Sequence, residues 1–94
     1  MKSRKYLKKQ IKDNFNKLYQ EIFFYETFVV NADSAVAQSI LDEMLKAESN
    51  LLKRVSTHDG KYVKGRVKIY FSKLKEDLRK DLDGFKQKIN SLVY

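Results

Sequence analysis

The sequence predicts an all-α fold, an up-down-up antiparallel bundle of three long helices. Proline is absent and glycine occurs only three times in 94 residues, so few positions interrupt helical structure. Apolar residues recur at steps of three and four in three long stretches separated by two short breaks, and short connections make consecutive helices antiparallel neighbours. A chain of this length supports one core, and no linker divides it. We therefore expect residues 1–94 to form a single helical domain.

The first helix is predicted over residues 3–30. Its apolar stripe places seven residues on one face: Leu7, Ile11, Phe15, Leu18, Ile22, Tyr25 and Val29. Further apolar residues (Phe23, Phe24, Phe28 and Val30) spread around the rest of the helix. The remainder of the chain is expected to pack around this dense segment.

The second helix is predicted over residues 34–58, with Asn31 or Asp33 as its N-terminal cap. Its apolar face consists of Val36, Ala37, Ile40, Leu41, Met44, Leu45, Ala47, Leu51, Leu52 and Val55. Glu48 interrupts this face. Because buried carboxylates are usually partnered, we expect Glu48 at the core edge, bonded to a tyrosine hydroxyl or a lysine. The alternative is a functional acid with a raised pKa.

The third helix is predicted over residues 61–92, after Gly60 ends the second. Its stripe consists of Val63, Val67, Tyr70, Phe71, Leu74, Leu78, Leu82, Phe85, Ile89 and Leu92. Gly65 and Gly84 interrupt the helix, and each weakens it by about 1 kcal/mol relative to alanine.

The sequence gives no sign of enzymatic chemistry. Cysteine is absent and His58 is the only histidine, so a metal site would lack its usual ligands. Residues 60–67 share the glycine spacing of a phosphate-binding loop, but Arg66 and Val67 replace the motif's lysine and hydroxyl residue. We therefore predict a non-catalytic protein with no catalytic residue, metal, cofactor or small-molecule substrate.

Positive charge is concentrated where an up-down-up bundle brings three helix ends together. The net charge is +8. The start of helix one, the end of helix two and the start of helix three form what we call the basic pole: Lys2, Arg4, Lys5, Lys8, Lys9, Lys12, Lys53, Arg54, Lys61, Lys64, Arg66 and Lys68. Only Asp13 and Asp59 oppose these twelve cations, which gives a local charge of +10.

The leading hypothesis is that the basic pole docks on nucleic acid or a ribonucleoprotein through phosphate contacts. The candidate binding residues are Lys5, Lys8, Lys9, Lys12, Lys61, Lys64, Arg66 and Lys68. A second row of cations (Lys64, Lys68, Lys75, Arg79 and Lys86), which we call the rail, lies along one flank of helix three. The rail is interpreted as a solvated flank that pairs with neighbouring acids.

The alternative hypothesis is a structural or adaptor protein that self-associates through an apolar surface. Phe24 and Phe28 fall opposite the core face of helix one. Either a neighbouring helix covers them or another molecule does, and a homodimer is the simplest form. The N-terminal segment has positive charge without an apolar stretch behind it, and no run is long enough to cross a membrane. We expect a cytoplasmic protein.

Overall fold

The computed structural model describes residues 4–57 and 64–93, with side chains for 5–56 and 68–92. It consists of three helices, α1 (Arg4–Phe28), α2 (Ser34–Thr57) and α3 (Lys64–Val93). Each helix packs against the other two. The predicted three-helix bundle is thereby confirmed. The bundle is elongated, with principal extents of 53 × 19 × 18 Å, because its three helices, of 25, 24 and 30 residues, pack side by side.

One hydrophobic core connects the three helices. Phe15 is completely buried near its centre, and its ring lies 6.2 Å from that of Phe85 in an edge-to-face arrangement. The buried residues are Leu7, Ile11, Phe15, Leu18, Ile22, Tyr25, Ala37, Ile40, Met44, Leu51, Val55, Leu74, Leu78, Phe85 and Ile89. These positions follow the predicted stripes, except that Val36 and Leu45 of the second stripe are 41% and 49% exposed. Val29 is the exception in α1, since it is 40% exposed.

The connection between α1 and α2 explains why Val29 leaves the core. α1 ends at Phe28 rather than at the predicted Val30, and Asn31 adopts a left-handed conformation with φ of 62°, which asparagine tolerates better than most residues. Asp33 is the cap: its Oδ1 accepts a hydrogen bond from the Val36 amide at 3.1 Å. The Tyr25 hydroxyl accepts a hydrogen bond from the Asp33 amide at 2.7 Å, which ties the connection to the core.

Two further helix boundaries fall on described residues and agree with the sequence-based prediction. α2 begins at Ser34, as expected, and is described to Thr57. α3 extends to Val93, one residue past the predicted end. The predicted start of helix three at residue 61, His58 and Gly60 lie outside the described residues.

Polar contacts between helices set their directions and register. The Tyr19 hydroxyl donates to Glu48, and Gln38 donates to Glu26 near the opposite end of the same helix pair, so α1 and α2 run antiparallel. The Tyr70 hydroxyl donates to the backbone oxygen of Arg54 at 2.7 Å. This bond brings the start of α3 beside the end of α2. The connection between α1 and α2 therefore occupies the end of the bundle opposite to the basic pole, and we call residues 23–36 the hairpin end.

Candidate nucleic-acid interface and exposed aromatic surface

Four lysines form a stripe along the first turns of α1. Lys5, Lys9 and Lys12 are exposed, and Lys8 is half-buried. Successive residues of a helix are rotated by about 100° around its axis. Because the four lysines follow the spacing i, i+3, i+4, i+7, they all lie within an arc of roughly 100° on one flank. This is the flank on which Tyr19 makes its hydrogen bond to α2. We call these four residues the lysine stripe.

The lysine stripe has no acidic partner within ion-pairing distance among the described residues. Several other cations do form ion pairs: Arg54 and Lys73 with Asp77 at 3.0 and 3.3 Å, Lys80 with Glu76 at 3.1 Å, and Lys88 with Glu43. A lysine without an acidic partner can contact a phosphate without first breaking an ion pair within the protein. Among the described residues of the basic pole, the stripe therefore supplies four cations on one flank that can contact a polyanion.

The remaining predicted binding residues lie at the start of α3. Lys61 is outside the described residues, and Lys64 and Arg66 are placed in the first turn of α3 by their backbone alone. Lys68 is exposed. Arg54, which the sequence also assigned to the basic pole, is held in an inter-helix ion pair with Asp77. The described positive surface is therefore narrower than the predicted pole.

The rail on α3 faces a different side of the bundle from the lysine stripe. Its described side chains, Lys68, Lys75, Arg79 and Lys86, are all exposed. None of these four forms an ion pair among the described residues, so the expected pairing with neighbouring acids is not seen. Asp77 and Lys88 contact α2 and so mark the side of α3 that faces it. Around the axis of α3, the four cations are rotated by at least about 140° from these two residues.

Phe24 and Phe28 are exposed on the outward face of α1. The two side chains are 64% and 65% exposed, and their ring centroids lie 4.5 Å apart with an interplanar angle of 43°. No described helix covers them, which answers the question that the sequence left open. Phe23 and Val30 are also exposed, at 69% and 85%, and so the hairpin end presents much apolar surface.

The segment that contains the hairpin end, residues 18–45, is also acidic, a feature that the sequence-based reasoning missed. Between Lys17 and Lys46 lie 28 residues without a lysine or arginine. The same segment carries five acids: Glu21, Glu26, Asp33, Asp42 and Glu43. A count of charge along the chain would have revealed it. Along α1 and α2, cations therefore lie near the basic pole and acids lie toward the hairpin end, where α3 adds Lys86 and Lys88.

Glu48 occupies the core edge, as expected of a partnered carboxylate. The Tyr19 hydroxyl donates a hydrogen bond of 2.5 Å to Glu48 Oε1. Burial of the phenol, together with the hydrogen bond to Glu48 and its negative charge, raises the pKa of Tyr19 well above its usual value. This pair joins α1 to α2 and supports a structural role for Glu48.

A second carboxylate cluster lies between α2 and α3. The hydrogen bond from Arg54 lowers the pKa of Asp77. Burial and the negative charge of Asp77 raise the pKa of Asp81, one turn further along α3. Two carboxylates with opposite pKa shifts can act as a general acid and a general base. Asp77, however, forms ion pairs with Arg54 and Lys73. We interpret the cluster as an inter-helix tie.

Other kinds of site have little support in the described part of the chain. Residues 4–57 and 64–93 contain no group of three or more histidine, cysteine or acidic side chains that could hold a metal ion. None of the described helices has a segment apolar enough to cross a membrane. A shallow groove between α2 and α3 is lined by Val36, Ile40 and Leu92 and closed at one side by Glu43 and Lys88. No protein-family model, curated protein or solved structure matches the chain.

Proposed function

We propose that this protein is a non-catalytic helical binding module whose basic pole docks on nucleic acid or a ribonucleoprotein. The observation that supports it best is the lysine stripe of α1, four cations on one flank without an acidic partner among the described residues. Solubilising charge is normally interspersed with acids. Here twelve of the 20 cations belong to the basic pole, and five of the 12 acids lie in residues 18–45, a segment without a cation. We place this function in the cytoplasm.

The chemistry of the stripe favours contacts to phosphates rather than to bases. From Lys5 to Lys12 the stripe spans about 10 Å at 1.5 Å per residue, enough to touch several phosphates along one strand. Lysine is a flexible point charge without the fork geometry that arginine uses to read a base edge or clamp a phosphate. Binding should therefore be strongly salt-dependent and indifferent to sequence.

The test compares two double variants with the same change in charge. Lys5→Glu with Lys12→Glu reverses two members of the stripe, whereas Lys17→Glu with Lys46→Glu reverses two exposed lysines outside the basic pole. Affinity for fluorescent single-stranded and duplex RNA and DNA is measured by anisotropy from about 50 to 200 mM salt. We expect the stripe variant to lose at least about tenfold in affinity and to show a shallower salt slope.

The control variant should lose much less, since its lysines contribute only to the long-range field, which salt screens. Equal losses in both variants would mean that net charge alone drives binding, and the assignment of the basic pole would be wrong. An absence of binding by the wild-type protein at about 50 mM salt, the condition that most favours phosphate contacts, would overturn the nucleic-acid function altogether.

A second candidate function is protein binding through the exposed rings of Phe24 and Phe28, with a homodimer as its simplest form. The observation in its favour is that two neighbouring aromatic side chains, whose rings contact each other at a tilt, are about two-thirds exposed on a helix face, an arrangement that often marks an interaction site. Light scattering of the wild-type protein and of a Phe24→Ser, Phe28→Ser variant tests the homodimer directly. A folded monomer in both cases would exclude it.

A further inference from the structure

We propose that the lysine stripe is one part of a longer track on α1 that binds single-stranded nucleic acid, with a base stacked on the ring of Phe23. This inference rests on the nucleic-acid function proposed for the basic pole and specifies the form of the nucleic acid. Three observations support it: the exposure of Phe23, its position in line with the stripe, and the placement of acids around the two.

Phe23 presents an aromatic ring on a flank of α1 that no described helix covers. The residue is 69% exposed. It is rotated by about 100° around the helix axis from Phe24 and by about 140° from Phe28, so it does not belong to the pair of rings that those two residues form. An exposed ring of this kind gains contact area when a flat nucleobase stacks on it.

The ring of Phe23 is in line with the lysine stripe. Phe23 follows Lys5 by 18 residues, which is five full turns, so the two residues point in the same direction about 27 Å apart. The other lysines of the stripe (Lys8, Lys9 and Lys12) lie within about 60° of that line. A strand with stacked bases advances about 3.4 Å per nucleotide, so the track has room for about eight nucleotides, or fewer when the strand is extended.

The flank between the stripe and Phe23 contains no acid. Asn16 and Gln20 are exposed there, within about 60° of the same line, and amide side chains donate hydrogen bonds to phosphate oxygens in many complexes. The nearest acid of α1 in this interval is Asp13, at about 80° from the line. A phosphate backbone can therefore follow α1 from Lys5 to Gln20 without crossing a carboxylate of that helix.

Acids at the far end of the track favour a base over a phosphate at Phe23. Glu26 lies about 60° from Phe23 and one turn further along α1, where it accepts a hydrogen bond from Gln38. On α2, Glu48 is bonded to α1, and Asp42 is exposed further outward. These carboxylates repel a phosphate, whereas an uncharged base meets no such repulsion. We therefore expect the strand to place its phosphates over the lysines and a base on the ring.

A single strand fits this arrangement better than a duplex does. In a duplex the bases pair and stack on one another, so their faces are closed to a ring on a protein surface, whereas unpaired bases stack readily on aromatic side chains. Such stacking tolerates any base, because every base has an aromatic face. The track therefore binds single strands with little dependence on sequence, in agreement with contacts that otherwise involve only phosphates.

The test compares two neighbouring phenylalanines that face different flanks. Phe23→Ala removes the ring of the track, and Phe24→Ala removes a ring of similar exposure, 64%, about 100° around the helix. Affinity for a labelled single-stranded RNA of about 12 nucleotides, longer than the track, and for a duplex of the same sequence is measured by anisotropy at about 50 mM salt. We expect Phe23→Ala to weaken single-strand binding at least about fivefold and to leave duplex binding unchanged. Phe24→Ala should change neither.

Two further variants at the same position separate stacking from other effects of the substitution. Phe23→Tyr keeps an aromatic face and should retain single-strand affinity, whereas Phe23→Leu keeps only an apolar side chain and should lose affinity as Phe23→Ala does. Because Phe23 lies outside the core, urea unfolding should show nearly equal stability for all of these variants. Full affinity in Phe23→Leu would show an apolar contact without stacking and would overturn the track.

The outcomes separate the track from the function on which it rests. Equal single-strand affinity in Phe23→Ala and Phe24→Ala, while the stripe variant still binds weakly, would overturn the track and leave a basic pole that binds phosphates. Equal losses for single strand and duplex in Phe23→Ala would also overturn it, because a stacked base requires an unpaired strand. A stripe variant that binds RNA as tightly as the wild-type protein would overturn both the track and the nucleic-acid function.

Discussion

At the scale of single residues, the pair of Tyr19 and Glu48 shows how one polar group is accommodated at the core edge. A carboxylate facing an apolar stripe needs a donor, because an unpaired buried charge costs several kcal/mol. The Tyr19 hydroxyl supplies that donor from the facing helix. Glu48 therefore contributes to the register of α1 against α2, and its position on the apolar face requires no catalytic explanation.

Two substitutions test this assignment at neutral pH. We expect Glu48→Gln to cost about 1 kcal/mol or less, since the amide oxygen still accepts the bond from Tyr19. Tyr19→Phe should cost about 1 kcal/mol because it leaves the carboxylate without its donor. Urea unfolding monitored by circular dichroism measures both. A loss of binding function in Glu48→Gln at unchanged stability would contradict the structural role.

The pair also predicts a dependence of stability on alkaline pH. The pKa of Tyr19 is raised in the folded protein above its usual value of 10.0, so the unfolded chain releases this proton first. The contribution of Tyr19 to the free energy of unfolding is fully present below about pH 10, and it is lost as the pH rises above that value. The free energy of unfolding should therefore decline above pH 10 more steeply in the wild-type protein than in Tyr19→Phe. Identical slopes would mean that Tyr19 titrates normally.

At the scale of helices, boundaries depend on a few residues whose local conformation is unusual. Asn31 has a positive φ and Asp33 caps α2, and together they turn the chain between two antiparallel helices. The sequence indicated both residues as candidate caps. It did not show that the left-handed residue would end α1 at Phe28, since the last apolar residues, Val29 and Val30, continue the helical pattern.

Gly84 offers a clean test of helix energetics within α3. It lies in the middle of the helix, and a Cβ atom added there meets nothing within 4 Å. Gly84→Ala should raise the free energy of unfolding by about 0.5–1 kcal/mol, because alanine loses less conformational freedom in a helix. Asn31→Ala is the opposite control: at a φ of 62° it should destabilise the fold. A destabilising Gly84→Ala would show that this segment of α3 has a close neighbour.

At the scale of the whole molecule, the sequence predicted the bundle well but the surfaces only in part. Spacing of apolar residues identifies the core face of each helix, and it correctly placed Phe24 and Phe28 opposite that face. The spacing of apolar residues does not specify which of the other two helices packs against which flank of a given helix. The basic pole therefore seemed to be one surface, whereas the stripe of α1 and the rail of α3 face different sides. The acidic hairpin end was readable from the sequence and was overlooked.

Segregated charge predicts that stability and binding oppose each other at the basic pole. The first turn of α1 contains no acidic residue, so its lysines face the positive end of the helix dipole as well as one another. Lys5→Glu should therefore stabilise the fold by about 0.3–1 kcal/mol at low salt while weakening RNA binding. Urea unfolding and RNA anisotropy on the same preparation measure the two effects.

The gain in stability should shrink as salt rises, because screening removes the repulsion that the substitution relieves. Lys17→Glu is the positional control: Lys17 is exposed in the interior of the same helix, away from the terminus and the lysine stripe, so binding should change little. Because Asp13 and Glu21 lie four residues away on either side, this substitution should destabilise the helix by about 0.2–0.5 kcal/mol for each like-charge pair. A charge arrangement that costs stability is expected where it serves binding. If Lys5→Glu stabilised the protein and left RNA affinity unchanged, the stripe would have no role in binding, and the exposed aromatic surface would be the better candidate for the functional site.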